Sequence, residues 1–342
     1  MGHDRATAGR GRDGRKGGSV SAPQGVGLWI HYLDQALVGR TPDQLAAVCQ
    51  QHNIKWLAIK AGDADNHWGQ FSPNTVESLK AGWPQLGVYA WSYLYCGNAP
   101  RTPSYSPRST AEGEARVALD ALAAGADGLI LDIEAEAQGQ HAQLERTWQL
   151  IREARPDAWV AWSPLAVVDL QDHEAYRIAC RYASAHLPMT YLQVHDWPWS
   201  DYDHMMAMWD RWQRQWAAEG LPVLPVLPIG QAYGNATPAT IADFAQRTRA
   251  RGCASVSWWA WDKATDLQWE AVAEVAQTWP PGGEPPIPAG SAAIGAACEH
   301  IWTVAQVLRG KRQTRAGQVA LAETLENDVA TVKAAAGLET PG

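Results

Sequence analysis

Two acidic residues, Asp132 and Glu134, lie two positions apart at the end of an apolar run that begins at Gly128. Successive side chains of a β-strand point to opposite faces, so both acids share one face and lie roughly 7 Å apart. Burying carboxylates is costly unless they are paired or their pKa values are shifted, so this strand end indicates chemistry rather than packing. Like charges this close keep one carboxyl protonated and the other ionised, which suits acid-assisted bond cleavage.

The two acids are expected to have different roles. Glu134, nearer the open end of the strand, is predicted to be the general acid. Asp132, deeper and hydrogen-bonded, is expected to stay charged, to orient Glu134 and to stabilise positive charge on the substrate. Glu136 has the same parity but lies beyond the strand, so it either contacts substrate or faces solvent. The alternative for the whole group is an ion-paired cluster that does no chemistry.

The elements that would position these acids repeat in type along the chain. Short apolar runs alternate with longer helical patterns, which is typical of consecutive β-α units around a parallel sheet. Strands are expected at residues 25–31, 56–60, 86–91, 128–134, 159–163, 189–194, 223–229 and 255–261. Eight such units over about 250 residues predict an α/β fold, a (β/α)8 TIM barrel.

Sites in this fold lie where the strands end, so the other strand ends supply candidates for substrate contact. These candidates are His31, Lys60, Glu136, Tyr191, Gln193, Asp196, Gln231, Trp259 and Trp261. Lys60 either binds substrate or pairs with Asp63. Trp259 and Trp261 are expected to share the inward face and to form an aromatic plate for a sugar. His31 and His195 lack the paired spacing of barrel metal sites, so neither a metal nor a cofactor is expected.

The acid pair and the aromatic strand end together predict a glycoside hydrolase. A retaining enzyme with two carboxylates needs a second acid about 5 to 5.5 Å across the cleft, as nucleophile. The seventh strand ends in Gln231, which favours attack by an acetamido group of the sugar itself. Asp196 or Asp262 remains an alternative source of the nucleophile.

Residues of the fourth strand resemble those of two known families. Asp127-Gly128-x-Ile130-x-Asp132-x-Glu134 resembles the acidic strand of family 18 chitinases, with Ile130 in the place of an inner Asp. Met189-Thr190-Tyr191 is similar to the segment whose Tyr holds the substrate acetamido group in that family, and the Trp-rich eighth strand is similar to its sugar platform. Ile59-Lys60-Ala61-Gly62, together with Asp132-x-Glu134, resembles family 25 lysozymes, although Trp29-Ile30-His31 lacks their first-strand Asp. Both resemblances imply cleavage of an N-acetylhexosamine polysaccharide, chitin-like or peptidoglycan.

The segments outside the barrel differ from it in composition. Residues 1–24 are expected to be a disordered basic leader without a signal-peptide core, and residues 25–279 the barrel domain. Residues 280–290 form a Pro/Gly linker, and residues 291–342 contain two helical patterns, each with one apolar seam. The two helices are expected to close as a hairpin on the barrel or to dock on another subunit, which would make a homo-oligomer.

Charge and composition exclude several classes of protein. A net charge of -8 argues against nucleic acid as a partner, because phosphate binding requires a basic surface. The sequence has no run of about 20 apolar residues, so no membrane span is expected. Five scattered cysteines without a CxxC pair suggest neither a disulfide framework nor zinc. The sequence leaves two locations open for the protein: the cytoplasm, or a phage-associated route to the cell wall like that of lysins.

Two other classes of function remain after these exclusions. A non-catalytic carbohydrate-binding or structural barrel is favoured by Ile130 and Trp29, which stand where the families have acids. A metabolic barrel enzyme acting on a phosphorylated substrate is disfavoured, because the loops after the last two strands lack a clear glycine-rich phosphate cradle.

Overall fold

A computed structural model describes residues 22–97, 109–194 and 199–280 of the chain. The leader, the helices expected beyond residue 280 and Asp196 lie outside these residues. The strands are β1 Gly25–Ile30, β2 Ile54–Asp63, β3 Asn66–His67, β4 Gly87–Leu94, β5 Gly128–Ile133, β6 Val160–Pro164, β7 Ile229–Gln231 and β8 Ser255–Trp259. The helices are α1 Leu33–Leu37, α2 Pro42–His52, α3 Pro73–Gly82, α4 Ala111–Ala123, α5 His141–Ala154, α6 His173–Tyr182, α7 Trp199–Ala218, α8 Pro238–Ala250 and α9 Asp266–Thr278.

The helices begin where the sequence supplies caps. The side chains of Ser72 and Thr237 accept hydrogen bonds from backbone amides in the first turns of α3 and α8, and proline follows each cap. Thr41 and Gln44 form a capping box at the start of α2. These contacts satisfy amides that a helix start leaves without partners, so the helices start where the hydroxyl–proline pattern predicts.

The strands form a parallel barrel. The ladder runs in the order β6, β5, β4, β2, β1, β8 and β7, and the two-residue β3 pairs antiparallel with the end of β2. The gap between β6 and β7 is closed by residues 184–190, whose backbone bridges to both neighbours. Leu187 donates its amide to Trp162 at 2.9 Å, and Ile229 donates to Pro188 at 2.9 Å. Eight strand positions therefore close the barrel, as the alternating pattern predicts.

The sixth strand position differs from the sequence expectation. The pattern of apolar residues placed it at 189–194, whereas the backbone that pairs with β6 lies at 184–190. His186 is polar and Pro188 has no amide to donate, so this stretch does not resemble a strand in the sequence. Similarly, β7 is confined to 229–231, later than the expected 223–229. Tyr191 and Gln193 consequently lie just beyond the barrel wall and not within a strand.

Tryptophan side chains fill the inside of the barrel. The indole of Trp56 lies across Gly27, where an added Cβ would come within 2.0 Å of the ring. Trp56 donates its indole N–H to Ser255 at 2.9 Å, and Trp29 donates to Ser257 at 3.1 Å. These small residues leave room for large rings, so the interior is a packed core.

The aromatic rings form two levels within the barrel. Nearer the amino end, Tyr89 contacts Trp56 and Trp159, with ring centroids 5.7 and 5.2 Å apart. Above them, the rings of Trp29 and Trp259 both lie against Trp91. The outer faces of the strands pack on the surrounding helices as a second core. None of the helices in the described ranges is long and apolar enough to cross a bilayer.

Candidate functional site

The inner face of β5 carries the first acid. Ile130 belongs to the inner core, whereas Leu129, Leu131 and Ile133 belong to the outer core. Asp132 has the inward parity of Ile130, which is the arrangement that strand alternation predicts. Asp132 is 6% exposed and stands one step above an apolar floor.

The surroundings of Asp132 disfavour the charged form of its carboxyl group. Its Oδ1 is buried and has no hydrogen-bond partner among the described residues, so at this oxygen the expected hydrogen bond is missing. Burial raises the pKa of Asp132 well above its usual range, and the charge of Glu134 raises it further, while Lys60 opposes the shift. The protonated form of Asp132 is therefore favoured relative to an exposed aspartate, which runs against the expectation that Asp132 stays charged.

Glu134 follows β5 directly and is half-buried. It precedes the short 3-10 turn Ala135–Ala137, so it lies at the open end of the barrel. Its charge helps to raise the pKa values of Asp132, Tyr93 and Tyr191. Glu134 is thus electrostatically coupled to groups on three different parts of the barrel rim.

A β-bulge in β2 brings a cation and a third acid to the mouth. The pairing with β4 shifts between Lys60 and Gly62, so Lys60 and Asp63 both face inward although they are three residues apart. Lys60 Nζ lies 3.6 Å from Asp63 Oδ2, which is the ion pair that the sequence analysis weighed against substrate binding. Burial lowers the pKa of Lys60, and the charges of Asp63 and Asp132 counteract this effect.

His31 lies at the centre of an aromatic surface after β1. Its ring stacks on Tyr32 at 4.2 Å and on Trp68 at 5.4 Å between centroids, and Trp259 lies 5.8 Å away. Burial, together with the charges of Lys60 and Lys263, lowers the pKa of His31 to about 4. His31 is therefore neutral near pH 7, and its buried Nδ1 has no partner in the described part of the chain.

Tyr191 approaches the acid pair from the loop after the sixth strand position. Burial raises its pKa, with further contributions from Asp132, Tyr233 and Glu134. The ring of Tyr233 meets Tyr191 edge-on at 6.0 Å. The structure thus brings Tyr191 close to both acids.

Gln193 and Gln231 hold the loops around Tyr191. The carbonyl of Gln193 accepts a hydrogen bond from Asn235 at 2.6 Å. The side-chain oxygen of Gln231 accepts the amide of Val194 at 2.8 Å, and its nitrogen donates to Tyr233 O at 2.9 Å. The Gln231 side chain is buried and engaged on both sides of its amide, so in this state it supports the rim.

Trp259 and Trp261 lie on different faces, contrary to the expected shared plate. The strand ends at Trp259, whose ring packs in the inner cluster at 5.2 Å from Trp91. Trp261 begins a 3-10 turn, and its ring packs at 5.5 Å on Trp269 of α9, outside the barrel. Alternation stops where the strand stops, so the prediction for Trp261 is wrong.

Asp262 is also directed away from the acid pair. Its two carboxylate oxygens accept the backbone amides of His31 at 2.9 Å and of Tyr32 at 3.3 Å. It borders an outer groove with Trp261 and Trp269. This carboxylate joins the end of β8 to the end of β1.

Two residues of the mouth were missed by the sequence analysis. Tyr93 pairs with Asp132 across β4 and β5, and its hydroxyl donates to Glu136 at 2.7 Å. Inward parity continuing from Tyr89 and Trp91 would have identified it. Trp68 follows the β3 hairpin and covers Lys60 at 4.4 Å, and no local pattern in the sequence predicts that approach.

Within residues 22–97, 109–194 and 199–280, no group of three or more His, Cys, Asp or Glu side chains is placed to hold a metal ion. The mouth of the barrel is a cluster of carboxyl, phenol and indole groups around the Lys60 ammonium, and the Lys263 ammonium lies 5.7 Å from the Trp259 ring at the same rim. The members of this cluster are Lys60, Asp63, Tyr93, Asp132, Glu134, Glu136 and Tyr191. Such an arrangement can move a proton and stabilise positive charge.

Comparisons with known proteins relate the backbone to glycoside hydrolases. No protein-family model and no curated protein sequence matches the chain. The structure is similar to active domain 2 of a thermostable Pyrococcus furiosus chitinase, with a TM-score of 0.54, 12% identity and coverage of 75% of this chain and 95% of that one.

Two further solved structures share this similarity. A chitinase from Chromobacterium violaceum has a TM-score of 0.50 and 15% identity over 75% of this chain and 99% of that one. An endo-beta-1,4-mannanase from Thermotoga petrophila has a TM-score of 0.50 and 12% identity over 76% and 77%. The chain therefore has the (β/α)8 barrel fold that these glycoside hydrolases share.

Proposed function

We propose that this protein is a glycoside hydrolase that cleaves an N-acetylhexosamine polysaccharide, chitin-like or peptidoglycan. The observation that carries the proposal is the position of Asp132 and Glu134 at the carboxyl end of the barrel, with the Asp132 carboxyl buried and its Oδ1 without a hydrogen-bond partner in the described part of the chain. Barrel enzymes place their chemistry at this end. A buried carboxyl with a strongly shifted pKa is typical of functional sites, because its burial costs stability.

The proposed reaction uses one proton on the acid pair. Burial favours the protonated form of Asp132, and the proton of the pair must be on Glu134 when the bond breaks. Glu134 then protonates the glycosidic oxygen, which leaves with the bonding electron pair. The substrate acetamido oxygen attacks the anomeric carbon, and the Asp132 carboxylate stabilises the positive charge of the ring that forms.

The second half-reaction restores the enzyme. Water attacks the anomeric carbon and opens the cyclised intermediate, and its proton returns to Glu134. Tyr191, which lies near both acids, is proposed to hold the acetamido oxygen. Substrate assistance is supported by Gln231 at the end of β7 and by Asp262, whose oxygens are engaged by backbone amides. Trp259, His31 and Trp68 offer ring surface for the sugar.

A non-catalytic carbohydrate-binding barrel is the second candidate, and Ile130 favours it. Ile130 is fully buried directly below Asp132, so the floor of the site is apolar where the chitinase-like pattern has another acid. The two candidates separate in one assay. Release of new reducing ends from chitin oligomers or from peptidoglycan supports the hydrolase, whereas binding of either polymer without release supports the binding barrel.

A further inference from the structure

Lys60 is a cation in an acid-rich barrel mouth. It is 5% exposed, and its ammonium lies 4.4 Å from the ring centroid of Trp68 and 4.8 Å from that of Trp91. Indole faces attract a cation but accept no proton from it. Asp63, at 3.6 Å, completes the surroundings. The ammonium is therefore fixed in position by two rings and one carboxylate.

The strand order places this ammonium near the acid pair. β4 lies between β2 and β5, and its pairings run from Lys60 to Trp91 and from Tyr93 to Asp132. The titratable groups that act on Asp132 are Lys60 and Asp63 on β2, Tyr93 on β4, Glu134 and Glu136 after β5, and Tyr191 beyond the sixth strand position. Among these groups Lys60 supplies positive charge, whereas the others are carboxyl groups or phenols. Lys60 is itself coupled to the Lys263 ammonium and to the His31 ring.

The charge of Lys60 matters because most other influences on Asp132 favour its protonated form. Burial and the charges of Glu134, Asp63 and Glu136 all disfavour the carboxylate form of Asp132, and Lys60 opposes them. Ile130, immediately below, contributes no charge. Without the ammonium, Asp132 would keep its proton over a wider pH range, and transfer of that proton to Glu134 would be less favourable.

We infer that Lys60 is a positioning residue whose fixed ammonium stabilises the carboxylate form of Asp132 and thereby allows the proton of the pair to reach Glu134. The catalytic consequence rests on the proposed hydrolase function. The charge coupling between Lys60 and Asp132 does not, and it can be measured in the protein without substrate.

The direct test follows the Asp132 carboxyl carbon by NMR in protein labelled at the side-chain carboxyl of aspartate, with Asp132→Asn used to assign the signal. Lys60→Met is expected to raise the titration midpoint of Asp132 by about one pH unit or more, and Lys60→Arg is expected to restore it towards the wild-type value. Lys55→Met is the matched control, because Lys55 is an exposed lysine of the same strand that lies over Trp83 at 5.4 Å. An Asp132 midpoint that is the same in Lys60→Met and Lys55→Met would overturn the inference.

A reciprocal measurement tests the same coupling without the Lys60→Met variant, in case that variant does not fold. Coupling between two sites is equal in both directions, so removing the Asp132 charge must lower the titration midpoint of the Lys60 amine. We therefore expect the Lys60 side-chain signal to titrate at lower pH in Asp132→Asn than in the wild type. An unchanged Lys60 midpoint contradicts the inference.

Activity distinguishes this inference from the proposed function. On chitin oligomers, the acidic limb of the pH–rate profile should move to higher pH in Lys60→Met and return with Lys60→Arg. A protein that shows the NMR coupling but cleaves no glycan refutes the hydrolase and supports the inference. If the protein cleaves glycan, but its pH profile and its Asp132 midpoint are the same in Lys60→Met as in the wild type, the inference is refuted and the hydrolase is supported.

Discussion

Asp262 accepts the backbone amide of His31 at 2.9 Å, and so the last strand of the barrel is joined to the first at the end where the acids lie. The other oxygen of the same carboxylate accepts the amide of Tyr32. Replacing Asp262 with alanine should lower the free energy of unfolding by about 1 to 3 kcal/mol, because two amides lose a charged acceptor. Denaturant unfolding measures this loss.

Asp262→Asn is the conservative control, since it retains one acceptor oxygen and should cost less than alanine. This role for Asp262 predicts that no sugar becomes attached to it during turnover. A covalent glycosyl group on Asp262, detected by mass spectrometry, would refute it.

Glu134→Gln should abolish glycan cleavage and leave folding and sugar binding largely unchanged. Glutamine has a similar shape but cannot donate the proton that the leaving oxygen requires. Reducing-end release and sugar-binding titration should be compared with Glu77→Gln, which changes an exposed glutamate on α3. An active Glu134→Gln protein shows that another group is the general acid.

Substrates without the N-acetyl group should be inert, because the proposed nucleophile is the acetamido oxygen. Matched N-acetylated and de-acetylated oligosaccharides provide the comparison. Thiazoline compounds, which mimic the cyclised intermediate, should inhibit the protein. Equal rates on the two substrates, or a sugar trapped on a protein carboxylate, would exclude the mechanism.

Asp132→Asn should stabilise the fold at neutral pH and have little effect at low pH. The pKa of Asp132 is raised in the folded protein, so the folded state holds a proton that the unfolded chain releases. Wild-type stability therefore falls as pH rises above the ordinary range of an aspartate and stays reduced once both states are ionised. The asparagine variant lacks this loss.

Thermal melts at pH 4 and pH 8 test the sign of this effect. The difference between Asp132→Asn and the wild type should be larger at pH 8. Asp157→Asn, an exposed change ahead of β6, should show no such pH dependence. An Asp132→Asn protein that is less stable than the wild type at pH 8 would indicate that the carboxylate is well solvated by the fold.

The barrel should fold without the tail. A chain of residues 22–280 retains Trp279, which is buried and lies 5.3 Å from the guanidinium of Arg249. This chain is expected to melt in one transition close to that of the full protein. A chain ending at Thr278 is the matched control, and losing a buried tryptophan should cost it about 3 kcal/mol or more. Equal melting temperatures of the two short chains would show that Trp279 contributes little to stability. Aggregation of both short chains would show that the barrel needs the residues beyond 280 in order to fold.

The sequence predicts the barrel because the β-α alternation and the capping hydroxyls are local signals. Strand parity similarly predicts the inward position of Asp132, since that position depends on neighbours along one strand. The bulge that turns Lys60 and Asp63 to the same side is set by pairing with β4, so it leaves no mark in β2 alone. The sixth strand position was misplaced because its ladder partners are distant in sequence and Pro188 interrupts the apolar pattern.

Protonation was the least predictable property of the site. The sequence indicates two like charges close together but not which of them is more deeply buried. That depends on groups from distant segments, such as Tyr93 and Tyr191, which lie about a hundred positions apart and are both electrostatically coupled to Asp132. The prediction that Trp261 shares the inward face with Trp259 is wrong for a similar reason, because the end of β8 is set by the 3-10 turn that follows it.

The packed aromatic interior constrains how a polymer could meet the acids. Trp56, Tyr89 and Trp159 fill the amino end of the barrel, so a chain cannot thread through it. Under the proposed function, a polysaccharide therefore reaches Asp132 from the rim of the barrel and not through its centre. For the proposed hydrolase, the number of sugar rings that the rim holds on each side of Glu134 would then set the length of the fragments.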